Sequence, residues 1–288
     1  MRARARPLSA APTRYRAAMR ALPTTLVLLS AACTSTTFAE PRYQLSPYVA
    51  LHRVRGDATA ATPGTGGAPA TANAAQPLSA FGQGDRDDDL CYRFDVGDGF
   101  AGVRVDWYRL GIRGDDGSPL GDGYGAYAAG DEATMRTAMD EWRVGYVENV
   151  GELRTKLWDR PLALRAGAGG VFASRDLSLT ATRAGDGLVE RSSFDGENLY
   201  AAVRLGARWH SVALDAEYAL CPDLAVAGDV DGLLHDLELR AAWTMPYYDV
   251  TFFGGWRLAT IEAKSGSGLD RRADLTIDGL LFGVSVSF

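Results

Sequence analysis

The 288-residue chain is short of lysine: of its 30 basic residues only Lys156 and Lys264 are not arginine. It has three histidines, His52, His210 and His235, none spaced as a metal pair such as i and i+4 on a helix, so no zinc motif is present. Cysteine is equally sparse at three. No stretch approaches the roughly eighteen consecutive apolar residues that a membrane-spanning helix requires, and mean hydropathy is slightly polar at -0.11. That excludes a helical membrane protein, but not a sheet whose two faces alternate and cancel in any average. A formal net charge of -6 argues against nucleic acid as a partner.

What is present begins with charge. Residues 1–39 hold Arg2, Arg4, Arg6, Arg14, Arg16 and Arg20 and no acid, followed by the apolar run Leu22 to Leu29 and the small-residue end Thr37-Phe38-Ala39. This order reads as an export signal, with the mature chain starting at Glu40. Met19-Arg20 makes a more ordinary start than Met1, which suggests a translation start placed too far upstream. Cys33 follows Leu29 at one residue too many for a good lipoprotein box. Residues 40–288 then form one domain with 24 basic against 36 acidic residues, near -12. Only Cys91 and Cys221 remain in it, an even pair suited to an oxidising compartment, and a disulfide between them is expected where the loop after Tyr218 folds inward.

The domain alternates. Tyr48 to Arg55 reads as a first strand, followed by a Gly/Pro/Ala/Thr-rich flexible surface loop over Gly56 to Asp88. Leu90, Tyr92, Phe94 and Val96 alternate with Cys91, Arg93 and Asp95, and Gly97-Asp98-Gly99 turns the chain into a third strand, Phe100 to Ile112. After a second long loop, Gly114 to about Thr137, come strands Trp142 to Val150 and Leu162 to Phe172 joined by a modest connection, then a long loop Ser174 to Asp195. Strands six and seven meet at His210-Ser211. Strand eight carries Leu237, Leu239, Ala241 and Trp243, strand nine Tyr248 to Leu258, and a final strand ends on Phe288. The pattern predicts an all-β, transmembrane, antiparallel up-and-down β-barrel of ten strands, with eight as the alternative. Phe94, Trp209, Trp243, Tyr248 and Phe288 fall near the short-turn rim, and Trp142, Phe172 and Tyr218 near the long-loop rim, as two aromatic girdles.

Phe288 closes a strand in which Val286, Val284, Phe282 and Leu280 share its parity while Ser287, Ser285, Gly283 and Gly279 take the other. This resembles the C-terminal targeting signal of bacterial outer-membrane barrels. With Ser46 to Leu51, Cys91 to Phe94, Val105 to Gly111 and Leu214 to Tyr218, nearly the whole mature chain is similar to small outer-membrane β-barrel proteins of Gram-negative bacteria. Two strands beyond Trp243 depart from that group's eight-stranded pattern. The resemblance implies an outer-membrane location, surrounding lipid and lipopolysaccharide, and assembly machinery that reads the last strand through Phe288.

Candidate chemistry is thin. His235-Asp236 invites comparison with the ten-stranded omptin proteases, yet no omptin-like motif surrounds it, and His210-Ser211 lacks the spacing of lipid A deacylases. The acidic runs Asp85 to Asp89 and Asp115-Asp116 read as solvated loop surface rather than a calcium cage. The informative residues are charges of inward parity: Arg93, Asp95, Arg104, Asp106, Arg143, Arg165, Arg204, Arg208, Asp215, Glu217, Glu238, Arg240, Asp249 and Arg257. Arg204, Arg208, Asp215, Glu217, Glu238 and Arg240 lie on neighbouring strands and are expected to form a charge network filling a narrow lumen. The expected function is a structural or surface-interaction barrel with no enzymatic activity and no cofactor, a narrow porin-like channel being the alternative and an omptin-like or lipid-modifying enzyme third.

Overall fold

The computed structural model describes residues 42–64, 70–71, 73–222, 225–265 and 271–288, with the side chains of residues 225 and 231 left aside. The expected export signal, its cleavage site, its start and Cys33 lie outside the described residues. Ten long strands follow one another in chain order: β1 (Arg42–Ala60), β2 (Asp87–Gly97), β3 (Gly102–Arg113), β4 (Ala133–Leu157), β5 (Arg160–Arg183), β6 (Val189–Trp209), β7 (Val212–Pro222), β8 (Leu233–Thr244), β9 (Val250–Ser265) and β10 (Arg271–Ser287). Each pairs antiparallel with the next, and β10 returns to β1 from Gln44↔Ser287 to Ala60↔Arg271, so the sheet has no free side. Ten strands, rather than eight, close the ring.

The register fixes the shape. Starting at Arg42, paired residues run through Gly97, Gly102, Val147, Gly169, Ala202, Ala219, Asp236, Ala259 and Ile277 and come back to β1 at Val54, twelve residues from the start. With strands about 4.8 Å apart and about 3.3 Å per residue, this shear tilts the strands by about 40° and sets a backbone radius of about 10 Å. The lumen is therefore narrow enough for long side chains from opposite walls to meet.

One parity of each strand faces out throughout, but its chemistry changes with height. On β5 the outward row reads Leu164, Ala166, Ala168, Gly170, Phe172 and then Ser174, Asp176, Ser178, Thr180. Its inward row reads Arg165, Gly167, Gly169 and then, apart from Arg175, the apolar Val171, Ala173, Leu177, Leu179 and Ala181. The lower part is apolar outside and polar inside, as lipid demands; the upper part is built like an ordinary soluble barrel. Outward aromatics bracket the lower part. Tyr92 stacks on Trp107 at 5.5 Å and Trp107 meets Trp142 at a tilt at 6.2 Å near the long-loop rim, and Tyr43 stacks on Phe288 at 6.1 Å near the short-turn rim.

This reversal corrects the expected loops. Residues 174–195 are strand apart from a turn at 184–188, because β5 runs to Arg183 and β6 begins at Val189. The stretch 56–88 is not free surface: β1 continues to Ala60, and Gln76 to Phe81 fold into the barrel mouth as a short strand and one 3-10 turn. Gly82 ends that turn in the left-handed region at φ 77, and Gln83 pins it from inside, donating to the Met135 carbonyl at 3.0 Å and accepting from the Thr137 hydroxyl at 3.0 Å. From the next loop Leu120, Tyr124 and Tyr127 come in beside Leu78 and Phe81, all five no more than 2 % exposed. Tyr124 crosses Phe81 edge to face at 5.0 Å, and burial pushes its hydroxyl up to about 12. Together with Met135, Leu177, Leu179 and Phe194 from the walls these residues form a buried apolar plug.

Phe81 is the centre of that plug, with no exposed surface. Phe81→Ala is expected to cost about 3–5 kcal/mol of stability through the cavity it leaves, measured by denaturant unfolding of the purified protein. A loss below about 1 kcal/mol would mean that the plug collapses around the gap or is not packed.

Candidate functional site

Below the plug the lumen is filled with charge. Seven arginines (Arg93, Arg104, Arg143, Arg175, Arg204, Arg240, Arg257) and seven carboxylates (Asp95, Asp106, Glu141, Asp215, Glu217, Asp236, Glu238) point inward, with Arg165 and Arg208 added toward the short-turn rim. Buried ions are tolerated only when their partners replace the water they lose.

In the uppermost layer, Arg257 of β9 donates through Nη2 to Glu141 Oε1 of β4 and to Asp236 Oδ2 of β8, both at 2.6 Å. Arg143 Nη1 stands 2.9 Å from the same Asp236 oxygen, and Arg175 donates to Glu141 and to the Tyr200 hydroxyl. The middle layer is a fork. Arg93 of β2 meets both oxygens of Glu238 of β8 at 2.7 Å and gives its Nε to Asp106 at 2.5 Å. In the lower layer Arg104 of β3 bridges Asp95 at 2.8 Å and Glu217 of β7 at 3.1 Å, and Arg204 Nε adds 2.8 Å to the same Glu217 oxygen. Phe100, from the β2–β3 turn, closes the floor by accepting from Arg204 through its carbonyl. Its ring fits because Gly206 lacks the Cβ that would lie 2.6 Å from it. Arg257–Glu141, Arg143–Asp236, Arg93–Glu238 and Arg104–Glu217 join walls four or five strands apart, and the other ion pairs tie these residues to adjacent strands. The network is thus a set of cross-braces, not a coating.

The six residues expected to form the network are only partly brought together. Arg204 and Glu217 pair directly, and Glu238 is committed across the lumen to Arg93 rather than to Arg240. Arg240 faces Asp215 in register, yet lies with its guanidinium 4.1 Å over the Phe253 ring and its Nη2 3.4 Å from the Ser285 hydroxyl. Among the described residues Arg240, Arg208 and Asp215 have no ion pair within 4.0 Å; all three line the cavity that opens at the short-turn rim. Glu141 and Arg175 were missed because each lies just outside an expected strand end. The inward parity they share with Arg143 and Ala173 is the signal that could have found them.

The expected disulfide does not form. Cys91 is on β2 and Cys221 on β7, five strands apart in either direction around the ring, and both side chains are buried in their own walls. A bond would need Cα atoms within about 7 Å, far less than the width of a barrel of about 10 Å radius. The histidines are dispersed as well. His235 faces outward, with Nδ1 2.6 Å from the Tyr218 hydroxyl, while Asp236 faces inward to Arg257. His52 is fully buried against Tyr108, and His210 sits in the β6–β7 turn at φ 56. Among the described residues no group of three metal-ligating side chains is found.

A closed ring of ten tilted strands with an apolar outer band, two aromatic girdles and a paired polar interior is a transmembrane β-barrel of the outer-membrane class. No known protein family matches the chain, and neither does any curated protein. Among solved structures it is similar to the outer membrane protease OmpT from Escherichia coli, with 7% identity, 85% of this chain and 97% of that one covered, and a TM-score of 0.42. It is also similar to a Pseudomonas aeruginosa FadL homologue (9% identity, 87% and 90% covered, TM-score 0.30) and to the P. putida toluene transporter TodX (10%, 88% and 91%, TM-score 0.26).

Removing one member of a cross-brace leaves its partner buried with part of its compensation gone. Glu238→Leu leaves Arg93 with Asp106 alone, and Glu217→Leu leaves Arg104 with Asp95 alone and Arg204 with no carboxylate among the described residues, so each is expected to lower stability by about 3–5 kcal/mol. Leu214→Val, on the lipid-facing side, is expected to change it by less than about 1.5 kcal/mol. Denaturant unfolding checks both, and equal effects at the two kinds of site would refute cross-bracing.

Proposed function

We propose that this protein is a closed outer-membrane barrel with a structural or surface-interaction role, neither a pore nor an enzyme. The observation that carries this reading is the double closure of the lumen, by ion pairs between opposite walls and then by the plug of Leu78, Phe81, Leu120, Tyr124 and Tyr127 above them. A solute would have to displace both. The division of His235 and Asp236 between opposite faces supports a non-enzymatic role, since a general acid–base pair must converge on one substrate. Lipid and lipopolysaccharide surround the apolar band, and the export signal in residues 1–39 delivers the chain to the periplasm.

Planar-bilayer recording tests the closure. The native protein is expected to give no stable conductance steps, and reproducible large steps would establish the porin-like alternative. The barrel assembly machinery is taken to read the last strand, whose Phe288 is 74% exposed at the seam where β10 meets β1. Deleting Phe288 is expected to reduce the heat-modifiable, folded form in outer-membrane fractions while the chain still crosses the inner membrane. Full assembly of the deletion variant would remove Phe288 from the signal.

A further inference from the structure

The rim formed by the short turns is level except at one place. The pairing of β3 with β4 ends at Gly102↔Val147, but β4 and β5 run on together to Leu157↔Arg160, with β6 following β5 only as far as Trp209↔Leu162. At about 3.3 Å per residue and a tilt of about 40°, the hairpin tip stands about 15 Å beyond the rim on the periplasmic side. This differs from the modest connection expected between strands four and five. From Gly151 to Leu157, β4 has β5 on one side and no strand on the other among the described residues, and every residue of that segment is exposed. An edge of this kind presents unpaired backbone donors and acceptors to another strand.

The hairpin is two-faced. Beyond the bulge at Asn149/Gly151, Leu153 lies opposite Leu164 and Thr155 opposite Leu162 on one face, while the other carries Glu152, Arg154 and Lys156. Glu152 is already held by Arg154 and Arg165, which leaves Lys156 without an acidic partner among the described residues. The tip turns through Trp158 at φ 49 and Asp159 at φ 62, positions where a two-residue turn of this type favours Asn-Gly. Trp158 touches the edge of Trp209 at 5.6 Å yet remains 77% exposed. A bulky residue held in the left-handed region and left in water is costly, and such strain persists at sites of function.

We propose that β4 from Gly151 to Leu157 is a docking edge for a strand of a periplasmic protein, added antiparallel or parallel to it by main-chain pairing. The chemistry of that strand follows from the edge: apolar residues beside Leu153 and Leu157 on one face, acidic residues beside Arg154 and Lys156 on the other. A second copy of this chain does not fit. Two barrels in one membrane related by a two-fold along its normal would cross these edges at about 80°, twice the tilt, too steep for a ladder, and would bring like charges together. The surface is separate from the lumen, so it stands whether or not the barrel conducts.

The test uses the full-length protein in nanodiscs and two synthetic ten-residue peptides of alternating Val/Leu and Glu, or alternating Val/Leu and Lys. The Glu peptide is expected to slow amide hydrogen exchange across 151–157 by about tenfold or more while the Lys peptide leaves it unchanged. The double variant Arg154→Glu, Lys156→Glu, whose folded state is checked by heat-modifiable mobility, is expected to exchange that preference. Protection by neither peptide, or by both alike, overturns the proposal. So does protection without peptide that rises with protein concentration, which would indicate a second copy. Quenching of Trp158 by brominated lipid, identified by its loss in Trp158→Phe, would show that lipid covers the hairpin and would likewise overturn it.

Discussion

Closure of the ring is the constraint on which everything else in this molecule rests. Once β10 hydrogen-bonds to β1 with a shear of twelve residues over ten strands, the wall radius is set at about 10 Å. At that width an inward side chain reaches the middle of the lumen and meets one from across it. Most inward positions are therefore small, apolar and packed, or charged and paired. The three solutions appear at separate heights: Gly167 and Gly206 make room for Phe100 at the floor, the arginine–carboxylate layers occupy the centre, and the plug seals the top.

Much of this was legible in the sequence within the membrane band and little of it above. Alternation such as Leu199, Ala201, Val203, Leu205 against Tyr200, Arg204, Gly206 is visible because lipid forces one row to be apolar and the lumen forces the other to be polar. Above the band the two rows exchange chemistry while keeping their direction. There Asp176, Ser178 and Thr180 face water, and Leu177, Leu179 and Ala181 face the plug. A reader following lipid-facing residues loses the strand at Ser174, although period two continues unbroken to Arg183. The loss of phase marks the membrane surface, and it hid Arg175 and Glu141 from the list of lumen charges.

Loop composition misled in a related way. The stretch after Arg55 is rich in Gly, Pro, Ala and Thr, which lack the apolar area to build a core of their own. Its few larger apolar residues, Leu78 and Phe81, did not need one, because the upper barrel supplies the remaining walls in Leu110, Met135, Leu177 and Phe194. Whether a short apolar motif packs depends on the cavity it meets, and that cavity is assembled from strands distant in the chain, as the bond from Gln83 to Met135, 52 residues on, shows. Pairings across the lumen were unreadable for the same reason. Parity places Arg93 and Glu238 inside, but only the closed ring places one opposite the other.

Within the lumen the absence of lysine has a physical cause. Both lysines stand outside the membrane band, Lys156 on the periplasmic hairpin and Lys264 at the far end of β9, whereas the lumen cations are arginine. A brace across the lumen must satisfy two carboxylates at once from a fixed direction. Arg257 joins Glu141 and Asp236, Arg104 joins Asp95 and Glu217, and Arg93 holds both oxygens of Glu238 while giving Nε to Asp106. The planar guanidinium does this with five donors in a rigid fork and keeps its proton under all ordinary conditions. An ammonium would offer three donors at a single point on a flexible stem, with a charge that burial readily removes. A lumen this narrow therefore selects arginine at each position where a cation must brace opposite walls.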